Sequence, residues 1–139
     1  MKIGSARLPL SWQPGLPLAG YSKRNLPASG THRELFVRAI AFASDDDQLC
    51  VDRALTQRIR AAISSETGIP TQAIMVAATH THASAGGIAH FPVPTSDNVL
   101  GDYAPERSAH VVEVALNAVR EAARTRTPVT LMAGAVLTE

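Results

Sequence analysis

The chain has 139 residues, 45% of them hydrophobic and 18% charged, with a formal net charge of +1. That length holds one domain with a real core, and the near-neutral balance excludes charge-driven affinity for nucleic acid or an anionic membrane. Aromatics at 4% leave no stacking platform for bases.

Cys50, the one cysteine, excludes an intrachain disulfide framework and reads as a small core hydrophobe. The opening "MKIGSARLPLSW" lacks the apolar core of a signal peptide, and no apolar run approaches the ~20 residues of a membrane helix. The chain as written is therefore expected in the cytoplasm. It carries no internal repeat and no low-complexity segment, so residues 1–139 are taken as a single domain.

Residues 1–30 are expected to form an extended, loop-like entry segment, because Pro9, Pro14, Pro17 and Pro27 rule out a helix there. Trp12 and Tyr21 are placed to pin it to the core. "ELFVRAIAFAS" (34–44) alternates as a strand, with Leu35, Val37, Ala39 and Ala41 on one face. Arg38 interrupts the other face, which predicts a sheet edge or a polar partner. "SDDDQ" reads as a solvated turn, since its acidic triplet lacks the alternating oxygen ligands of a calcium loop.

Asp52 can cap a helix running to about Glu66, with Leu55, Ile59, Ala62 and Ile63 as its apolar stripe. Gly68 and Pro70 supply the stop. "TQAIMVAATH" follows, and its unbroken apolar centre, Ile74 to Ala78, predicts a strand buried on both faces. Pro105 suits the first turn of a second helix, lined by Val112, Ala115, Leu116, Val119 and Ala123 up to about Arg126. "PVTLMAGAV" reads as a closing strand. The alternation predicts an α/β fold, a mostly parallel sheet with covering helices.

"ATHTHASAGG" (78–87) ends the most apolar of these strands. Ligands in α/β sheets bind outside the carboxyl ends of strands. Extended residues two apart point the same way, so His80 and His82 can face one point. Neutral imidazoles suit zinc, and a catalytic zinc commonly takes three protein ligands and leaves a place for water. Gly86 and Gly87 would let backbone approach a substrate and offer amides to an oxyanion. From the residues alone, a metal or catalytic role stands level with that of two hydrogen-bonded loop histidines.

The same stretch resembles the "THTHSGPGG" signature of the neutral/alkaline ceramidases, zinc-dependent amidases that cleave the N-acyl bond of sphingolipids. "LPLAGYSKRNLPASGTHRELFVRAIAFASDD" is similar to that family's N-terminal segment. There a "GY" element precedes a "G-(I/V)-H" element and an "ARA" strand with an acidic or glycine turn. "GIPTQAIMVAATHTH" is similar to the helix exit and strand that lead into its site. These likenesses run in the family's order over most of residues 15 to 90.

The resemblance implies zinc as cofactor and His80 as a zinc ligand. It also implies His82 beside the metal, positioning or deprotonating the attacking water, and His32 lining the same pocket. It implies a lipid amide substrate, ceramide or a relative, and members that are often secreted or membrane-associated. His90 reads as an exposed loop histidine and His110 as a solvated one on the second helix.

Departures accompany the likeness. Ala83, Ser84 and Ala85 stand where the signature has Ser, Gly and Pro, and the family's "DITP" corresponds to something like Arg7-Leu8-Pro9-Leu10. Only "LCV" separates the acidic turn from Asp52, where the family has a full strand. The family's remaining zinc ligands lie beyond the length of this chain, and Glu113, Glu121 and Glu139 do not replace them. The domain is thus expected to be incomplete relative to the family's, with an open sheet edge that invites homo-oligomeric pairing. Two readings follow. One is the N-terminal part of a ceramidase-like amidohydrolase; the other is a truncated, non-catalytic scaffold or binding domain that retains the fold.

Overall fold

The computed structural model describes residues 2–21, 24, 26–42, 53–79, 81–89 and 101–130. Period-two alternation sets its first element, strand β1 (Lys2–Leu10). Gly4, Ala6, Leu8 and Leu10 turn inward, while Ser5, Arg7 and Pro9 are exposed. Strand β2 (Leu35–Phe42) runs antiparallel to it, with cross-strand pairs from Ile3–Phe42 to Leu10–Leu35. A two-residue strand β3 (Thr127–Pro128) meets the other edge of β1 at Lys2 and Ile3, giving the order β2-β1-β3.

The mixture of helices and strands is as expected, but the three strands among the described residues pair antiparallel rather than mostly parallel. The expectation failed at the entry segment, which is extended yet forms a paired strand over Lys2–Leu10 instead of a loop. Proline excludes a helix but not a strand: Pro9 lies beyond the reach of β3, where among the described residues β1 has a neighbour on its β2 side alone, a position that tolerates proline.

Arg38 is exposed on β2, at one end of the strand order, as its sequence position predicts. It stands directly opposite Arg7. The Arg7 guanidinium lies 3.4 Å over the centre of the Phe36 ring, a contact that gives the cation an electrostatic partner beside a like charge.

Helix α1 (Arg53–Thr67) buries Leu55, Thr56, Ile59 and Ile63. It ends as expected at Gly68, whose φ of 72° suits a residue without a Cβ and whose N–H donates to the Ser64 carbonyl. Full burial of Ile59 and Ile63 contributes roughly 2 kcal/mol each. The proposed cap Asp52, the acidic turn and Cys50 lie outside the described residues.

Helix α2 (Pro105–Arg124) starts with proline in its first turn and packs on both sides. Val112, Ala115, Leu116 and Val119 meet α1. Ala118 and Ala122, one turn apart, are fully excluded from solvent, and Gly4 lets the Ala122 carbonyl lie against β1. The sequence stripe missed Val114, Ala118 and Ala122 because a helix wedged between a sheet and a second helix buries a wider arc than a surface helix.

After a 3-10 turn at Thr71–Ala73, the chain runs on without strand pairing among the described residues. Ile74 is buried and Val76 half-buried, but Met75 is 62% exposed and Ala77 to Thr79 are exposed. The expected strand buried on two faces is instead an extended run buried on one, the side on which Ile74 and Val76 join the helix cluster. Arg60 ties it down by donating to the Ile74 carbonyl at 2.6 Å.

Trp12 anchors the segment after β1, half-buried with its ring 5.2 Å from that of His110 in an edge-to-face pair. His110 is therefore packed rather than solvated, and its Nε2 is buried. Most of the expected closing strand lies in residues 131–139, outside those described.

Candidate functional site

The loop carrying the histidine signature is built from backbone outward. At Leu18–Ala85 the entry segment and the loop form an antiparallel bridge. The Ala19 N–H donates to the Ser84 carbonyl at 3.2 Å, and the Gly86 N–H donates to the Pro17 carbonyl at 2.7 Å. On the other side the Ala104 N–H donates to the Gly87 carbonyl at 2.9 Å, and Arg107 Nη1 donates to the Gly86 carbonyl at 2.7 Å. Ala85, Gly86 and Gly87 are buried between these two supports.

Glycine is required at Gly87 for two reasons. Its φ is 76°, and a Cβ there would strike the Asp102 carbonyl. The close approach expected of this glycine pair is thus made to the turn before α2. The Gly86 amide, expected to be available to an oxyanion, is engaged by Pro17.

His82 sits half-buried just beyond this paired backbone. Its ring meets that of Tyr21 edge to face, with centroids 4.9 Å apart and planes at 65°. Gly20, with φ of 108°, lies beneath it, and a Cβ on Gly20 would come within 2.7 Å of the His82 Cγ. Arg24 Nη1 donates to the His82 carbonyl at 2.8 Å and to the Ala19 carbonyl at 3.3 Å. The same guanidinium lies 4.7 Å over the Tyr21 ring. Tyr21 is 56% exposed, so it covers the histidine from outside instead of pinning the segment to the core.

The chain shares its fold with a solved neutral ceramidase. The crystal structure of neutral ceramidase from Pseudomonas aeruginosa superposes with a TM-score of 0.72 at 19% sequence identity. The match covers 91% of this chain and 22% of that one, so the chain spans about a fifth of the length of the solved relative. No protein-family model matches the sequence, and no curated protein matches it.

Of the residues the resemblance singled out, His82 is the one placed in a defined setting. His32 is exposed in the bend before β2 and makes no hydrogen bond or ring contact with His82 among the described residues. His80 and His90 lie outside those residues. Among the described residues, no group of three or more His, Cys, Asp or Glu side chains converges as a metal cage would need. Glu121 is engaged by Arg124, and Glu113 is exposed.

Sequence reasoning missed Arg24 and Arg107, the two arginines that grip carbonyls of the loop. Neither stands in a periodic pattern; their targets are 58 and 21 residues away in sequence. The "GY" dipeptide was the one available signal, because Gly20 and Tyr21 form two walls of the His82 setting.

Proposed function

We propose that this domain belongs to a ceramidase-like amidohydrolase that hydrolyses the N-acyl amide bond of ceramide or a related lipid amide with zinc as cofactor. The observation that carries this reading is the shared fold over 91% of the chain, together with a histidine signature on a loop braced from both sides. His80 is the proposed zinc ligand, His82 the proton-transferring group and His32 a further pocket residue.

The described residues do not compose a zinc shell by themselves. A hydrolytic zinc, when bound, supplies Lewis acidity and a water of lowered pKa. His82 suits the accompanying proton movement. An imidazole can accept a proton on one nitrogen and pass it on, and this one is fixed by packing rather than left to rotate in solvent. Hydrolysis adds water across the C–N bond: oxygen goes to the acyl carbon, and a proton goes to the departing amine. A positioned imidazole can carry that proton.

Among the described residues no helix is long and apolar enough to cross a membrane. The outer edge of β2, which has no partner strand among the described residues, is the place where a second copy would add.

Zinc content by elemental analysis tests the reading. Near one zinc per chain, abolished by His80→Ala, is expected, with release of fatty acid from an N-acyl sphingoid amide lost in His82→Ala. A folded chain with no zinc and no hydrolysis would overturn it.

A further inference from the structure

The main-chain pairing that braces the histidine loop includes the hydrogen bond from the Ala19 N–H to the Ser84 carbonyl, and His82 lies two residues further along the loop. Within the loop, the Ala83 N–H turns back to Thr81 Oγ1 at 3.2 Å, a local bond that curls the chain without tying it to the body. The His82 carbonyl is held at this point by a side chain, the Arg24 guanidinium.

We infer that Arg24 is a positioning residue for His82, and the inference rests on the reading of His82 as the proton-transferring group. One guanidinium nitrogen binds the carbonyls of Ala19 and His82 together, so it ties the two segments to each other at the histidine. The flat face of the same cation lies over Tyr21, whose ring in turn packs edge to face on the His82 imidazole. The histidine is therefore fixed at both ends: its main chain by Arg24 directly, and its ring by Tyr21, which Arg24 holds in place. Gly20 forms a third wall, so three residues close in sequence, Gly20, Tyr21 and Arg24, all bear on His82.

Arginine is suited to this double task and lysine is not. A planar, delocalised cation can lie over an aromatic ring while donating in its own plane, whereas an ammonium is a point donor on a flexible stem. Small displacements of a catalytic imidazole are costly to rate, since a shift of about 1 Å can cost ~100-fold. The expected loss on removing Arg24 is therefore large in turnover and small in substrate affinity.

The test uses the full chain with Arg24→Met and Arg24→Lys, observed by carbon–proton NMR of the histidine rings. Five histidines are present, and His82→Asn assigns the signal of interest. In the parent, the His82 ring protons should be sharp and displaced by the Tyr21 ring current. In Arg24→Met they should move toward the positions of a solvent-exposed histidine, with Arg24→Lys between the two and the thermal midpoint of both variants close to the parent's. Hydrolysis of the N-acyl amide should fall about tenfold or more in kcat for Arg24→Met, with KM within about twofold.

His82 resonances unchanged in Arg24→Met would overturn the inference whatever the activity. Displaced resonances in a chain whose parent shows no hydrolysis would uphold Arg24 as the residue that fixes His82 while removing the amidase reading.

Discussion

The helix–sheet body and the histidine loop are stabilised by different means. In the body, apolar side chains at helical and strand spacing meet one another: Leu55, Ile59 and Ile63 of α1 pack with Ala115 of α2 and Ile74. In the loop, by contrast, Ala85, Gly86 and Gly87 are buried with almost no side chain to bury. Backbone hydrogen bonds and Arg107 hold them instead, and Arg24 holds the nearby His82 carbonyl. The body tolerates local error because its contacts are many and non-directional. The loop depends on a few directional bonds, so single changes there should alter geometry more than global stability.

The largest effect expected on the body comes from Gly4→Val. A side chain at Gly4 meets the Ala122 backbone and the Arg126 stem, so α2 must lift from β1. A loss of roughly 3 kcal/mol is expected in urea unfolding. A loss under about 1 kcal/mol would mean the helix–sheet contact is looser than described.

Next comes Gly87→Ala, where a positive φ combines with a clash on the Asp102 carbonyl. We expect about 2 kcal/mol of lost stability. Faster amide hydrogen exchange at Ala104, which donates to Gly87, would locate the damage in the loop.

Gly20→Ala sharpens the contrast. Its cost in unfolding free energy should be about 1 kcal/mol, yet the added methyl pushes on the His82 ring and, on the proposed amidase reading, should reduce hydrolysis far more than stability. Equal losses in both would argue that loop and body form one cooperative unit.

The smallest effect belongs to the exposed ion pair between Glu66 at the end of α1 and Arg120 on α2. The Arg120 hydrogen bond holds the Glu66 carboxyl below its ordinary value of 4.5. A lowered folded-state pKa means that the stabilisation is complete above the unfolded value and disappears as pH falls through the folded one. The thermal midpoint of Glu66→Gln should therefore lie slightly below the parent's at pH 7, and the two should converge in acid. Solvent and salt keep this difference small.

Much of the body was legible from residue order. The stripe of α1, its glycine stop, the proline start of α2 and the alternation of 35–42 each express a local rule, and each was found where expected. The strand at Lys2–Leu10 was not legible, because prolines exclude a helix without saying whether an extended segment finds a partner, and the position of β3 shows why Pro9 is tolerated. The two-sided burial expected for Ile74–Ala78 also failed, since an apolar run does not say how many of its faces are covered.

At the candidate site the sequence determined the chemistry on offer: paired histidines, flanking small residues and a "GY" element in the order of the ceramidase family. Local rules reach only a few residues along the chain, which is why they identified helices, stops and the signature itself. The tertiary structure alone decided that Gly20 and Tyr21 wall in His82, that Arg24 grips its carbonyl, and that Gly86 spends its amide on Pro17. Those contacts join residues some 60 positions apart. Their energies depend on distance and direction in space, which no spacing in the sequence encodes.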